Sequence, residues 1–369
     1  MPSLGEVVRR YGAQYLLRFG SAVPLRHKKA LRAIGACRTG ELGSVLYHCS
    51  TCGARHRIGR SCGNRHCPAC QHHKSEAWLR KQLTHLLPCP YFFITFTVPA
   101  ELRPFVRSHS KTAYNALFHA SSQAIKLLAA NPKWVGTDSP GFLGVLHTWG
   151  RALPFHPHVH YIVPGGGPSS DGSRWVPSRA DFFVPDPALS KVFRAKFKDA
   201  MRAAGLLQKI APIVWQKTWV VHSQAVGDGR AALKYLAAYV FRVALSDRRI
   251  LSCQDGQVTF SYRKTGSRRP RRMTLPAEEF LRRFLQHVLP RGFQKVRAYG
   301  FLSPNAQRSL EAVRWLATLH ARATFVLHAA PAPLAAPPPC RVPRCADCGG
   351  ELRRIAVLRF AGRALFDTS

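Results

Sequence analysis

Acidic residues are what this 369-residue chain lacks most: 18 Asp and Glu stand against 55 Lys and Arg, a formal charge of +37. That imbalance points to a polyanion as partner, with nucleic acid first and an anionic membrane surface second. Long apolar runs are also missing. No window reaches the roughly 18 uninterrupted apolar residues of a membrane span, so no membrane partner is expected. The amino-terminal stretch MPSLGEVVRRYGAQYLLRFG is amphipathic, carries Glu6 and has no apolar core of a secretory signal. These features lead us to expect an intracellular, cytoplasmic (nucleoid-associated) protein. No G-x4-G-K-[ST] phosphate loop is visible, which disfavours a helicase fusion. The middle of the chain is poor in carboxylates, which disfavours chemistry built on three acidic metal ligands.

Cysteine, by contrast, is clustered. Of 11 cysteines, six lie between Cys37 and Cys70, three lie between Cys340 and Cys348, and Cys89 and Cys253 stand alone. In a reducing compartment such clusters read as metal ligands rather than disulfides. Cys49-x2-Cys52 and Cys67-x2-Cys70, about 15 residues apart, match the spacing of a four-thiolate zinc site. Cys62, His66 and Cys37 are alternative or additional ligands, and His48 and His72 lie close by. Cys345-x2-Cys348 reads as half a zinc ribbon, with Cys340 as a third ligand and no visible fourth. Arg55, Arg57 and Arg65, within the zinc segment, are suited to DNA contact.

The texture of the chain changes at Pro90. Residues 1–36 read as basic helix broken at Pro24, and residues 37–75 have too little periodicity to fold without a metal. Strands are expected over 91–98, 141–149, 158–163, 213–223, 258–263 and 271–275. Helices are expected over 101–130, 188–205, 229–245 and 276–289. Residues 165–173 read as loop, and 331–339 as a Pro-rich linker. The fold class is therefore α+β: an antiparallel sheet with helices on one face, preceded by a small zinc-binding domain. The expected division is 1–89 (basic helical and zinc-binding), 90–305 (catalytic), 306–330 (helical extension) and 331–369 (linker and C-x2-C tail).

HPHVH (156–160) opens the second strand of a predicted hairpin. Positions i and i+2 of a strand share a face, so His158 and His160 stand side by side while Val159 turns the other way. Two imidazoles so placed suit a divalent metal with open coordination positions, and His147 on the preceding strand is the nearest third ligand. In KYLAAY (234–239), Tyr235 and Tyr239 fall one helical turn apart on one face, flanked by Lys234 and Arg242 as candidate phosphate contacts. Together these features suit metal-assisted attack of a tyrosine on a DNA phosphodiester. Aromatics interleaved with Lys and Arg suit single-stranded DNA. A replication initiator, a relaxase-like nickase and a non-enzymatic zinc-dependent DNA binder are competing readings.

Several stretches in one order carry a resemblance: CRTGELG (37–43), SCGNRHCPACQ (61–71), VLHTWG (145–150), HPHVHYIVPGGG (156–167), YLAAYVFRVALSDRRI (235–250), VTFSYR (258–263) and EEFLRRFLQHVLPRGFQKVRAYGF (278–301). Over about residues 30–305 the chain resembles the two-tyrosine, rolling-circle HUH transposases of the insertion-sequence-ninety-one family. The resemblance implies an amino-terminal zinc domain and an HUH-endonuclease-like catalytic domain. It implies cleavage of single-stranded DNA at transposon ends, and joining to target DNA, through a 5′-phosphotyrosine. Structural Zn²⁺ and catalytic Mg²⁺ or Mn²⁺ would be the cofactors. It carries His158 and His160 over as metal ligands and Tyr235 and Tyr239 as nucleophiles. The chain departs from the family pattern in having Ser44 and Val45 near a family histidine, and Lys264 and Thr265 where an acidic residue is common.

Overall fold

The computed structural model describes residues 2–70, 72–240, 244–263, 267, 269–321 and 343–359, with backbone alone for 72, 73 and 238. Two helices, α1 (Leu4–Phe19) and α2 (Leu25–Gly35), open the chain and break at Pro24. The Ser3 side chain caps α1 by accepting from the Glu6 amide. Then come β1 (Ser44–Cys49), β2 (Arg55–Gly59), α3 (His72–Leu83), β3 (Tyr91–Thr97), α4 (Arg103–Ser108) and α5 (Ser110–Ala130). The hairpin β4 (Phe142–Trp149) and β5 (Phe155–Pro164) precedes short β6 (Gly166–Pro168) and β7 (Trp175–Pro177), α6 (Asp186–Ala203), α7 (Ile213–Gln216) and β8 (Val220–Ala225). The remainder comprises α8 (Arg230–Val240), β9 (Ile250–Gln254), β10 (Gln257–Arg263), β11 (Pro270–Pro276), α9 (Ala277–Leu285), β12 (Val296–Tyr299), α10 (Leu310–His320) and β13 (Leu352–Leu358).

A five-stranded antiparallel sheet in the order β12-β4-β5-β3-β8 is the frame of the molecule. The architecture is α+β, as the sequence leads one to expect. Strand alternation assigns its two faces. Phe92, Ile94, Phe96, Leu146, Val159, Tyr161 and Val163 point one way, into a core closed by α4, α5 and α6. Tyr91, Leu143, Val145 and Ile162 point the other way, against α8 and the apolar side of α3. Helices thus cover both faces, not one: α8 carries Leu233, Leu236 and Val240 as a second apolar stripe, and only the opposite face can bury it.

Other boundaries also differ from the expectation. Residues 213–223 are not one strand: Pro212 starts the helical turn α7, and the Trp219 indole N–H donates to the Val214 carbonyl (3.1 Å) before β8 begins. The 101–130 helix is two helices, parted at His109. β1 and β2 lie within the zinc segment, β6 within the stretch expected to be loop, and β9, β12 and β13 where no strand is expected. α1 and α2 share a core with β9, β10, β11 and α9, so the stretches 1–89 and 90–305 are packed together. β13 pairs with β1 in a three-stranded sheet ordered β13-β1-β2. The tail is therefore part of the amino-terminal sheet rather than an appendage. Residues 241–243 of the predicted 229–245 helix, 322–330 of the extension and the 331–339 linker lie outside the described residues. No described helix is long and apolar enough to cross a membrane.

Phe193 is fully buried, edge-on to both Phe96 and Trp219. Phe193→Ala should lower unfolding free energy by about 3–5 kcal/mol in denaturant titrations. Leu17→Ala, at a position 90% exposed, should change it by less than about 0.5 kcal/mol. Equal effects would contradict this assignment of the core.

Candidate active site

His158 and His160 lie in the middle of β5, two residues apart and on the α8 side of the sheet. His147 of β4 is the direct cross-strand partner of His158. Ligand atoms of the three rings all fall within 4.8 Å of one another. The ring centroids are 5.3 Å apart for His147–His158, 4.5 Å for His147–His160 and 4.7 Å for His158–His160.

The hydrogen bonds decide which nitrogens are available. Nδ1 of His158 lies 2.6 Å from the His156 carbonyl oxygen, which can only accept. The proton therefore sits on Nδ1, and Nε2 offers a lone pair. Pro157 holds His156 in the extended backbone that aims this carbonyl. Nδ1 of His160 is 2.8 Å from the Thr95 hydroxyl, on the neighbouring strand. Nε2 of His147 is buried with no hydrogen-bond partner among the described residues. An orphaned buried nitrogen is costly unless something ligates it. Burial, reinforced by the neighbouring histidines, pushes all three rings below the usual imidazole range, with His158 brought to about 4. They are neutral at physiological pH, the form that binds metal. The donor set fits a divalent ion.

The tyrosines are brought to the same place. α8 starts after Gly229, whose φ is +77° and where a Cβ would stand 2.8 Å from the Tyr91 ring. Glycine there lets the helix lie close on the sheet. Tyr235 and Tyr239 have ring centroids 4.9 Å apart. Tyr239 lies 4.8 Å from His147 and Tyr235 lies 6.3 Å from His160, centroid to centroid. Tyr235 is nevertheless 47% exposed, leaving one edge open to solvent. Burial of the rest, with Tyr239 beside it, pushes its phenol up to about 12. Residues that sequence reasoning missed complete the wall: Thr95, and Phe93 stacked 4.8 Å from His160. Polar Thr95 and Thr97, alternating within an aromatic strand, were the available signal.

The cysteines regroup. Cys37, Cys62, Cys67 and Cys70 form one cluster, and Cys49, Cys52, Cys345 and Cys348 form another. The two paired knuckles Cys49/Cys52 and Cys67/Cys70 therefore do not share a site, because β1 and β2 carry the first away from the second. In the first cluster Sγ–Sγ distances are 3.4 Å (Cys37–Cys70), 3.6 Å (Cys62–Cys70) and 3.7 Å (Cys37–Cys67). A tetrahedron with Zn–S bonds of about 2.3 Å has edges of about 3.8 Å, so the residues fit the ion. His66 is not in it. It is buried, and its Nε2 accepts from the Leu289 amide.

The proposed DNA contacts divide similarly. Arg55 and Arg57 are exposed on β2, and β13 brings Arg353 opposite His48, which pairs with Arg55 on its other side. Lys234 is exposed on α8. Arg65 is different: its two guanidinium NH2 groups donate to the Phe293 and Pro290 carbonyls (2.7 and 2.6 Å), which ties the zinc segment to the loop before β12. Arg242, Cys340, Lys264, Thr265 and the His72 side chain lie outside the described residues. A groove of about 1500 Å³ between the amino-terminal helices and β12 is lined by Arg26, Lys29, Lys74, Lys81, Arg291 and Lys295, with no acidic residue among the described residues of its lining. It reaches Leu143 of β4 and Val240 of α8, which belong to the apolar cluster between α8 and the sheet.

Comparison with known proteins supplies the family. Residues 141–309 match the family model described as "Putative transposase", and residues 7–98 match the one described as "Transposase zinc-binding domain". These two matches define a DNA transposase with an amino-terminal zinc-binding domain. The chain is 36% identical over 323 residues to "Putative transposase y4qJ" of Sinorhizobium fredii, covering 82% of this chain and 80% of that protein. It is 26% identical over 294 residues to "Transposase for insertion sequence element IS801" of Pseudomonas savastanoi pv. phaseolicola, covering 73% and 68%. The chain belongs to the IS91 family of transposases. No solved structure matches it.

His158 and His287 are both buried and both brought to about 4. Unfolding restores a pKa near 6.5, so the unfolded chain binds protons that the native state refuses. Each contributes stability that is complete above pH 6.5 and is lost as pH falls toward 4, of order 3 kcal/mol apiece. Protein loaded with zinc and free of other divalent ions should therefore show a denaturant midpoint that falls steadily between pH 6.5 and 4, and less steeply in His287→Gln. A flat midpoint across that window would contradict the burial assigned to these rings.

Proposed function

We propose that the protein nicks and joins single-stranded DNA at transposon ends through a 5′-phosphotyrosine intermediate, as rolling-circle transposition requires. The observation that carries this reading is the packing of two tyrosine rings against three neutral histidines whose ligand atoms converge. His147, His158 and His160 would hold the divalent ion. An ion bound there would polarise the scissile phosphate as a Lewis acid. The all-nitrogen donor set favours Mn²⁺ over Mg²⁺, the harder, oxygen-seeking cation.

The chain's own residues do the rest. A tyrosine phenol loses its proton to solvent through its exposed edge, and its oxygen attacks phosphorus. The P–O3′ bond breaks as the Tyr–O–P bond forms, and the 3′ oxygen leaves and takes up a proton. The bond energy is kept in the phosphotyrosine, so a later 3′-OH attack rejoins the strand without ATP. Two tyrosines one turn apart allow a second strand to be cut while the first is held. The basic groove supplies phosphate contacts, and Arg55, Arg57 and Lys234 extend them.

Labelled single-stranded DNA spanning an end of the element tests this. With Mn²⁺, wild-type protein should give a covalent adduct on a denaturing gel. The adduct should be absent in Tyr235→Phe/Tyr239→Phe and reduced at least about 100-fold in His158→Ala. Burial, the largest cause, still raises the Tyr235 phenol when Tyr239 is gone, so cleavage by Tyr235 in Tyr239→Phe should still be rising at pH 9. An adduct surviving in the double variant would sink the proposal, as would DNA binding without an adduct under any metal.

A further inference from the structure

The family matches end at residues 98 and 309, yet residues 343–359 return to the amino-terminal sheet. β13 runs antiparallel to β1, with Cys49 opposite Leu352 and Ser44 opposite Leu358. We propose that Cys49, Cys52, Cys345 and Cys348 form a second tetrathiolate zinc site, which clamps the carboxy-terminal strand onto the amino-terminal domain.

The two halves of this site are built alike. In Cys49-x2-Cys52-Gly53 the Gly53 amide donates to the Cys49 carbonyl (3.0 Å), and in Cys345-x2-Cys348-Gly349 the Gly349 amide donates to the Cys345 carbonyl (3.0 Å). Both glycines are left-handed, with φ of +74° and +73°. Each knuckle closes with a further bond across its base, Cys49 N–H to the Ala54 carbonyl (2.9 Å) and Cys345 N–H to the Gly350 carbonyl (2.8 Å). Such turns aim both thiols of a knuckle at one point. Facing each other, they bring Cys49 and Cys348 to 3.5 Å and Cys52 and Cys345 to 3.7 Å between sulfurs, near the ~3.8 Å edge of a zinc tetrahedron. Nε2 of His56 lies 3.0 Å from Cys345 Sγ, placed to donate N–H···S to a bound thiolate and to orient it.

Packing alone does not account for the juncture. Its buried core is Cys49, Cys345 and Leu352, flanked by Tyr47 and Ala54. One leucine and two thiols cannot offset the entropy of ordering a returning strand. A metal bridging residues nearly 300 positions apart in sequence supplies what the apolar surface does not. As the ion enters, the four thiols release their protons, leaving a site of net charge −2. Arg55, Arg353 and Arg354 flank it in the strand register.

With the histidine site removed by His158→Ala/His160→Ala, the full chain should carry two zinc ions by native mass spectrometry, and adding Cys345→Ser/Cys348→Ser should leave one. Two ions in that variant would overturn the proposal, because Cys49 and Cys52 would then be completed by other groups. In the same background Cys348→His, which keeps a ligand, should retain two; loss of the second ion there would also count against the site. A second measurement does not depend on those variants. With a protease site engineered between residues 335 and 336, the cut carboxy-terminal fragment should co-elute with the body in zinc and separate from it in chelator. Separation in zinc, or retention in chelator, would overturn the clamp.

Discussion

The register of β5 is the constraint on which the site depends. A strand has a period of two, so one slip would turn His158 and His160 into the α5–α6 core and bring Val159 and Tyr161 onto the α8 face. Several contacts forbid that slip. Tyr161 is fully buried and shares a 2.7 Å hydrogen bond with Ser121 of α5. Its ring covers Gly144, where a Cβ would come within 2.4 Å. Val159 and Val163 are fully buried on the same side. The apolar face thus fixes the polar one: burying Val159, Tyr161 and Val163 holds His158 and His160 beside His147 and under α8.

That arrangement explains which parts of the site were legible in the sequence. Pairs at i and i+2 on a strand, or i and i+4 on a helix, obey local geometry. His158 with His160, and Tyr235 with Tyr239, could therefore be paired before any fold was known. His147 followed from one further assumption, a hairpin. Thr95 and Phe93 come from a strand more than 60 residues earlier, through a pairing that no local rule supplies. The role of His156 is backbone rather than side chain: its carbonyl fixes the His158 tautomer, which residue spacing alone does not reveal.

The zinc segment shows the opposite failure. Spacing alone joined Cys49/Cys52 to Cys67/Cys70, because those knuckles are neighbours in sequence. β1 and β2 separate them, and each is completed from elsewhere, by Cys37 and Cys62 in one case and by the tail in the other. Arg65, basic and near cysteine, has the sequence signature of a phosphate contact, yet two backbone carbonyls occupy its guanidinium fork. Residue type says what a side chain can do, and the fold decides what it meets. Membership of the IS91 transposases and an α+β architecture were both within reach of the sequence. The helix on the second face of the sheet was not, because the apolar stripe of α8 looks the same whichever layer buries it.

The central claim is that three histidines from two strands form one metal centre facing two tyrosines. Anomalous diffraction from crystals soaked in Mn²⁺ tests it most directly. The account predicts a single strong peak about 2.0–2.3 Å from ring nitrogens of His147, His158 and His160, on the side of the sheet covered by Tyr235 and Tyr239. No peak there, or one held by only one of the three rings, would contradict it.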